Sequence, residues 1–253
     1  MAFIPLSQAD SFQAIRFVAT DMDGTLTIAE KFTPNLLKAF ETLTTKGVQI
    51  VVTTGRSAGW VSGLAHYLPV VGAIAENGGI FYLGESEILL TPIADLTHHR
   101  HQLADSFERL KTQFPQIRES SDNRFRLTDW TFDVEGLSLD ALDTIAQCCE
   151  SWGWSFTYST VQCHIKPLQQ NKAAGLLTVL KDYFPDYSSE QILTVGDSPN
   201  DESLFDASLF PQSVGVANSL HYADRLLHKP TYVTAASEGE GFCELVAEIV
   251  HHE

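Results

Sequence analysis

Hydrophobic positions along the chain follow two rhythms. Short apolar runs at residues 14–20, 48–53 and 70–75 alternate with stretches whose apolar residues recur every three or four positions. Runs that are apolar at every position mark strands buried on both faces, and the longer period is helical. Thr33-Pro34 reads as a helix cap and first helical residue, Leu36, Leu37, Phe40 and Leu43 form the buried stripe, and Lys46-Gly47 closes the helix. A second helix begins near Ser57, and the third strand ends at Glu76-Asn77-Gly78-Gly79. Strand, helix, strand, helix, strand at this spacing predicts an α/β fold with a doubly wound parallel sheet.

The rhythm changes in the middle. Residues 88–90 and 125–134 read as half-exposed strands, the second interleaving polar and apolar positions. Residues 95–113 and 139–152 have amphipathic helical spacing, and 156–158 with 161–165 suggest a hairpin. The pattern predicts an α+β insert over residues 84–166 within a core domain made of 1–83 and 167–253. In the second core segment a helix spans 172–184, a strand 192–195, and another helix opens at 201–205. Strands at 214–217 and 232–234 and a helix from Gly241 complete it. Parallel sheets place ligands at the C-terminal ends of their strands, here in the crevice below the insert.

Composition narrows the classes. The 253 residues are 44% hydrophobic and 19% charged, as in globular proteins. Acidic side chains outnumber basic ones 32 to 16, a net charge of −16 that repels nucleic acid and anionic membrane surfaces. Binding a phosphorylated molecule is then a local problem, soluble by a divalent cation and a few basic groups. Cys148, Cys149, Cys163 and Cys243 lack metal-ligand or redox spacing and are expected to be reduced. The opening MAFIPLSQADSF has no signal-peptide pattern, and no 18-residue apolar run exists, so a cytoplasmic location is expected.

The predicted strand ends carry the chemistry. VATDMDGT, residues 18–25, sets Asp21 and Asp23 one residue apart. Asp21 fits a magnesium ligand whose other oxygen attacks phosphorus. Asp23 fits the proton donor to the leaving oxygen, then the base for water. The same DxDG is also an ordinary strand-end turn. In VVTTGR, residues 51–56, Thr54 and Gly55 offer a hydroxyl and a backbone N–H to phosphate, although Thr54 suits a helix cap equally. Arg56 either reaches toward substrate or pairs with a carboxylate. Lys172 starts a helix, where the dipole disfavours a cation, so it is better explained by pointing at anions. In GDSPND, Asp197 fits a metal ligand; Asp201 ligates directly, through water, or orients Lys172, with Asn200 beside it. Carboxylates gathered at strand ends repel one another without a cation. Together these groups could form an aspartyl-phosphate on Asp21 and let water hydrolyse it.

DMDGT, TTGR, Lys172 and GDSPND resemble, in order, the four motifs of the haloacid dehalogenase superfamily, in particular its Cof-type (subfamily IIB) phosphatases. IAENGG at 74–79, SVGVAN at 213–218 and TAASEGEGF at 234–242 are similar to further signatures of that branch. The resemblance spans essentially the whole chain. It implies a Rossmann-like core with a C2B cap and a Mg2+ held by Asp21, the main-chain oxygen of Asp23, and Asp197. It also implies a phosphatase for a small phosphate monoester, with Asp21 as nucleophile. The chain also resembles sucrose-phosphate and mannosyl-3-phosphoglycerate phosphatases, which favours a sugar phosphate, although ENGG is more Cof-like than the sucrose enzymes' segment. The phosphomannomutase relatives carry a GGSD-like second motif where this chain has TTGR. A phosphohexomutase-like phosphotransferase is the enzymatic alternative. A non-catalytic phosphosugar-binding protein would be expected to have lost a carboxylate, and all are present.

Specificity falls to the insert. Arg124, Arg126 and His164 are candidates to meet the organic part or a second anion, and Asn77, in a turn, to face the crevice. Trp130, Trp152 and Trp154 are expected to pack the insert. His98, His99 and His101 read as exposed imidazoles at a helix start rather than as a zinc site.

Overall fold

The computed structural model describes residues 3–9 and 12–251. Its strands are β1 (Ile4–Pro5), β2 (Phe17–Thr20), β3 (Gln49–Thr53), β4 (Gly72–Ala75), β5 (Ile80–Leu83), β6 (Ser86–Leu89), β7 (Trp130–Asp133), β8 (Trp154–Tyr158), β9 (Gln162–Pro167), β10 (Ile192–Gly196), β11 (Gln212–Gly215) and β12 (Tyr232–Val233). The helices are α1 (Pro34–Thr45), α2 (Ala58–Tyr67), α3 (Leu96–Gln113), α4 (Leu139–Ser151), α5 (Lys172–Tyr183) and α6 (Glu238–His251). A nine-stranded sheet runs β1-β12-β11-β10-β2-β3-β4-β5-β6, parallel from β1 to β4 and antiparallel at β5 and β6.

Side-chain alternation explains the unbroken apolar runs. In β2, Val18 packs with Phe40, Val61 and Phe242 of α1, α2 and α6, whereas Phe17 and Ala19 pack with Leu176 and Val179 of α5. Both faces are covered, so neither can be polar. The α1 start follows the sequence pattern, because Thr33 Oγ1 accepts the Leu36 N–H at 3.2 Å. At α2 the cap comes from elsewhere: Glu76 Oε1 accepts the Ala58 N–H at 2.9 Å.

Residues 90–171 connect through a smaller antiparallel sheet, β7-β9-β8, packed on α3 and α4 around Phe107, Leu110, Phe132, Ile145 and Cys149. Its tryptophans pack as expected, Trp130 beside Phe107, Trp152 beneath Arg109 and Trp154 against His99.

Four expectations change. The strand expected at 88–90 in the insert is β6, which with the unforeseen β5 extends the large sheet as a hairpin. The alternation at 125–134 is strand only at β7, because Asn123–Phe125 is a single helical turn. Pro199–Phe205 is a short 3-10 helix and ends at Phe205 instead of opening a longer one. His99 is buried, its Nε2 2.9 Å from the Thr128 carbonyl. All four cysteines are unpaired, and among the described residues no helix is long and apolar enough to cross a membrane.

Candidate active site

β2 and β10 are neighbours, with Thr20 opposite Val195. Asp21 and Asp197 therefore leave the sheet side by side, at the point where the chain turns toward β3 on one side and β10 lies on the other. Such switch points are where open α/β sheets bind ligands. The Asp21 N–H donates to Val195 O at 2.9 Å, extending the ladder to the carboxylate itself. Gly24, at φ +81°, turns the chain after Asp23, and a Cβ there would lie 2.6 Å from Asp197 Oδ2. Only glycine permits both the conformation and the approach.

Asp201 completes the group: one carboxylate oxygen from each of Asp21, Asp197 and Asp201 lies within 4.8 Å of the others, all three buried. Lys172 Nζ donates to Asp21 Oδ1 at 2.5 Å and Asp201 Oδ1 at 2.6 Å. Asp201 is doubly committed, because its Oδ2 accepts the N–H groups of Asp197 (3.0 Å) and Ser198 (3.1 Å). Asp197 accepts from Thr25 Oγ1 at 3.2 Å and Asn218 Nδ2 at 2.9 Å. The Asn218 contact gives the SVGVAN segment a physical purpose, since this side chain also reaches the Gly24 carbonyl.

Three carboxylates against one ammonium leave two negative charges, 3 − 1 = 2, when all are ionised. Burial pushes Asp21 up to about 7 against the pull of Lys172, with Asp201 and Asp23 adding to the rise. Burial and the charges of Asp21 and Asp201 hold Asp197 well above the usual carboxylate range. Burial opposes the Lys172 charge, but the two carboxylates outweigh it and keep the ammonium firmly protonated. Hard oxygen donors with surplus negative charge suit a magnesium-type cation. A carboxylate raised in the folded state costs stability as pH climbs from its ordinary value through the raised one. The penalty is thus full above about pH 7 and absent in acid. We expect saturating Mg2+ to raise the Tm by roughly 5–10 °C at pH 8 and by little at pH 4.5. Thermal unfolding at the two pH values checks this, and a pH-independent gain would contradict it.

Beside the acids, Asp21, Thr54, Gly55, Arg56, Gln162 and His164 border a void of about 10 Å³, room for one water. Gly55 touches the insert directly, since a Cβ would lie 3.1 Å from His164 Nε2. Asp23 and Asn200 also line the void. The Asp23 side chain, expected from the sequence to transfer protons, lies outside the acidic cluster and is forked by Arg56 at 2.8 and 2.6 Å. That decides between the two roles open to Arg56: here it pairs with a carboxylate. Asn200 Nδ2 donates to Asn77 Oδ1 at 3.0 Å, and Asn77 Nδ2 is buried without a hydrogen-bond partner among the described residues.

The insert arginines depart from expectation. Arg124 is exposed over the Phe125 ring, because the turn at 123–125 rotates it outward. Arg126 is buried between Asp122 (2.9 Å) and Asp129 (2.9 Å), reaching the core only at the Gly55 carbonyl (2.9 Å). Arg126 is thereby committed to carboxylates and a carbonyl. Asp129, missed in the sequence, also takes His164 Nδ1 at 2.9 Å. Despite burial, Arg126 and His164 hold the Asp129 carboxyl down at about 2, so it accepts and Nδ1 donates. Burial keeps His164 below its ordinary value against the Asp129 attraction. The ring is therefore neutral at pH 7, and its Nε2 faces Gly55 as an acceptor.

Glu76, also unassigned from sequence, joins core to insert. Besides capping α2, its carboxylate accepts the N–H groups of Leu127 (3.0 Å) and Thr128 (2.6 Å) and the Thr128 hydroxyl (2.8 Å). Gln170 adds to the seam, donating to Glu76 O at 2.5 Å and accepting from Thr91 Oγ1 at 2.9 Å.

A family model described as haloacid dehalogenase-like hydrolase matches residues 18–123. A phosphoglycolate phosphatase of Methanothrix thermoacetophila is 29% identical over 246 residues, covering 92% of this chain and 96% of its own. A phosphoglycolate phosphatase of Staphylothermus marinus is 28% identical over 246 residues, covering 93% and 98%. Over residues 18–123 the chain is similar to the haloacid dehalogenase-like hydrolases. Phosphatase is the class its curated relatives share by name. The fold of this hydrolase recurs in a crystal structure from Thermoplasma acidophilum, TM-score 0.75 at 22% identity over 93% of this chain and 98% of that one. It recurs too in the Synechocystis sucrose-phosphatase complex with sucrose and phosphate, TM-score 0.66 at 18% identity over 92% and 97%. The matched span of the family model takes in Asp21, Asp23, Thr54 and Glu76; Lys172, Asp197 and Asp201 come from beyond it.

Proposed function

We propose that this hydrolase is a Mg2+-dependent phosphatase of small phosphate monoesters, with a sugar phosphate as the favoured class. The observation that carries this is the buried meeting of Asp21, Asp197 and Asp201 around Lys172. Asp21, Asp197 and the main-chain oxygen of Asp23 would hold the cation, with Asp201 bracing Lys172 and the β10 turn. Bound there, Mg2+ supplies positive charge to the phosphoryl oxygens.

Asp21 attacks phosphorus, the ester P–O bond breaks, and Asp23 gives its proton to the departing oxygen. Asp23 then takes a proton from water, which attacks the aspartyl-phosphate and releases inorganic phosphate. Thr54 and the Gly55 N–H orient the phosphoryl group, and Lys172 offsets its repulsion from Asp21. For Asp23 to reach the leaving oxygen it must exchange its fork with Arg56. Residues 90–171, which leave the large sheet after β6, act as the cap.

The cap surface favours a neutral polyol over an acid. Arg126 is paired with Asp122 and Asp129, and His164 presents an acceptor, which suits a hydroxyl donor. Phosphoglycolate, the substrate in the names of the sequence relatives, is the second reading. The test is phosphate release from a panel of sugar phosphates, nucleotides, phosphoglycerates and 2-phosphoglycolate, with Mg2+ and then EDTA. We expect turnover of a sugar phosphate and a loss of at least about 100-fold with EDTA. Activity indifferent to EDTA would end the metal reading.

A further inference from the structure

A second cavity, of about 250 Å³, adjoins the small void and shares Asp23, Arg56 and Val161 with it. Half of its ten lining residues are apolar, with Met22, Phe32, Trp60 and Leu64 from the core and Val161 from the β8–β9 turn of the insert; Asp23, Thr27 and Arg56 line it as well. Glu30 and Lys31 stand at its rim.

We infer that this cavity is the leaving-group site, and that it takes a polyhydroxylated ring with its C–H face toward Trp60 and its hydroxyls toward the Glu30–Lys31 rim. The inference rests on the phosphatase reading and deepens it. Three observations lead here. The first is connection. A phosphoryl group at Asp21 releases its alcohol on the Asp23 side, and Asp23 is one of the three residues that line both spaces.

The second is size and surface. The void beside Asp21 has room for one water, so even the phosphoryl group enters only when the Val161–His164 edge withdraws from Gly55. The organic group needs other space, and the adjoining cavity is about twenty-five times larger. A wall of methionine, phenylalanine, tryptophan and leucine offers little to a two-carbon acid. It matches a ring with one apolar face, as aromatic platforms do. Trp60 is 49% exposed, and the Arg56 guanidinium lies 4.6 Å from its ring centroid, so the platform is braced from the catalytic side.

The third is the backbone at the rim. Ile28 and Lys31 exchange hydrogen bonds at 2.9 and 3.0 Å across a two-residue turn, with Ala29 at φ +47° and Glu30 at φ +62°. Asn-Gly makes such a turn at least cost. Ala-Glu is strained there, and the strain places a carboxylate at the cavity mouth, where a sugar hydroxyl has an acceptor.

The test compares the full-length protein with Trp60→Ala and the cavity-filling Leu64→Trp. Glucose 6-phosphate and 2-phosphoglycolate are the esters, and inhibition by inorganic phosphate is the control. Each variant should lower kcat/KM for glucose 6-phosphate by about 10-fold or more, chiefly through KM. Phosphate inhibition and 2-phosphoglycolate turnover should shift less than about 2-fold, because neither places a ring against Trp60. Equal losses on both esters, or none on glucose 6-phosphate, would overturn the assignment. So would wild-type turnover confined to 2-phosphoglycolate. A wild type that hydrolyses no ester with Mg2+ defeats the phosphatase reading itself, before either variant is considered.

Discussion

Asp21→Asn should lower phosphate release by about 10⁴-fold or more while leaving the fold at least as stable. The substitution keeps the shape of the side chain and an oxygen for Lys172, 2.5 Å away, but removes the proposed nucleophile. Burial and acidic neighbours disfavour the Asp21 charge and push its pKa to about 7. Removing that charge relieves the metal-free protein at pH 8, so its Tm should rise and its response to Mg2+ should shrink. Steady-state phosphate release and thermal unfolding measure the two halves. Retention of a tenth of wild-type activity would show that another group attacks phosphorus.

Lys172→Met should be the most destabilising of the conservative changes at the site. The methionine fills the space of the stem but leaves Asp21 and Asp201 facing each other without the buried ammonium. Removing one partner of a buried ionic group costs about 3–5 kcal/mol, which for a chain of this size is a Tm loss of roughly 6–20 °C. Turnover should collapse as well, since nothing then offsets repulsion between Asp21 and an incoming phosphate. Mg2+ should return part of the lost Tm by supplying charge to the same carboxylates. A Tm within about 2 °C of wild type would mean that the lysine does not balance them.

Local features were readable wherever a short stretch of sequence sets the outcome. The centres of β2 and β3, residues 17–19 and 50–52, are apolar because both faces are covered, and the Thr33-Pro34 signal caps α1 as its chemistry demands. The acidic turns after β2 and β10 could be paired on paper because parallel strands put all their C-terminal ends on one edge. What stayed hidden depends on contacts across distant segments. Nothing near Glu76 announces that its partners are N–H groups 51 and 52 residues away. Arg126 looked available because its alternating neighbours suggested a strand, whereas the turn at 123–125 folds it between Asp122 and Asp129. The β5–β6 hairpin was misplaced because its outer strand, mostly exposed, has the pattern of an insert.

The Glu76 joint grips mainly main chain. Apart from the Thr128 hydroxyl, its carboxylate reads N–H groups, which every residue except proline supplies. The side chain at Leu127 is therefore interchangeable as far as this attachment is concerned, proline alone excepted. A lid fastened by its backbone can diverge in what it presents to the crevice without loosening its anchor. One hydrolytic centre could in this way be refitted to new esters by altering the lid alone.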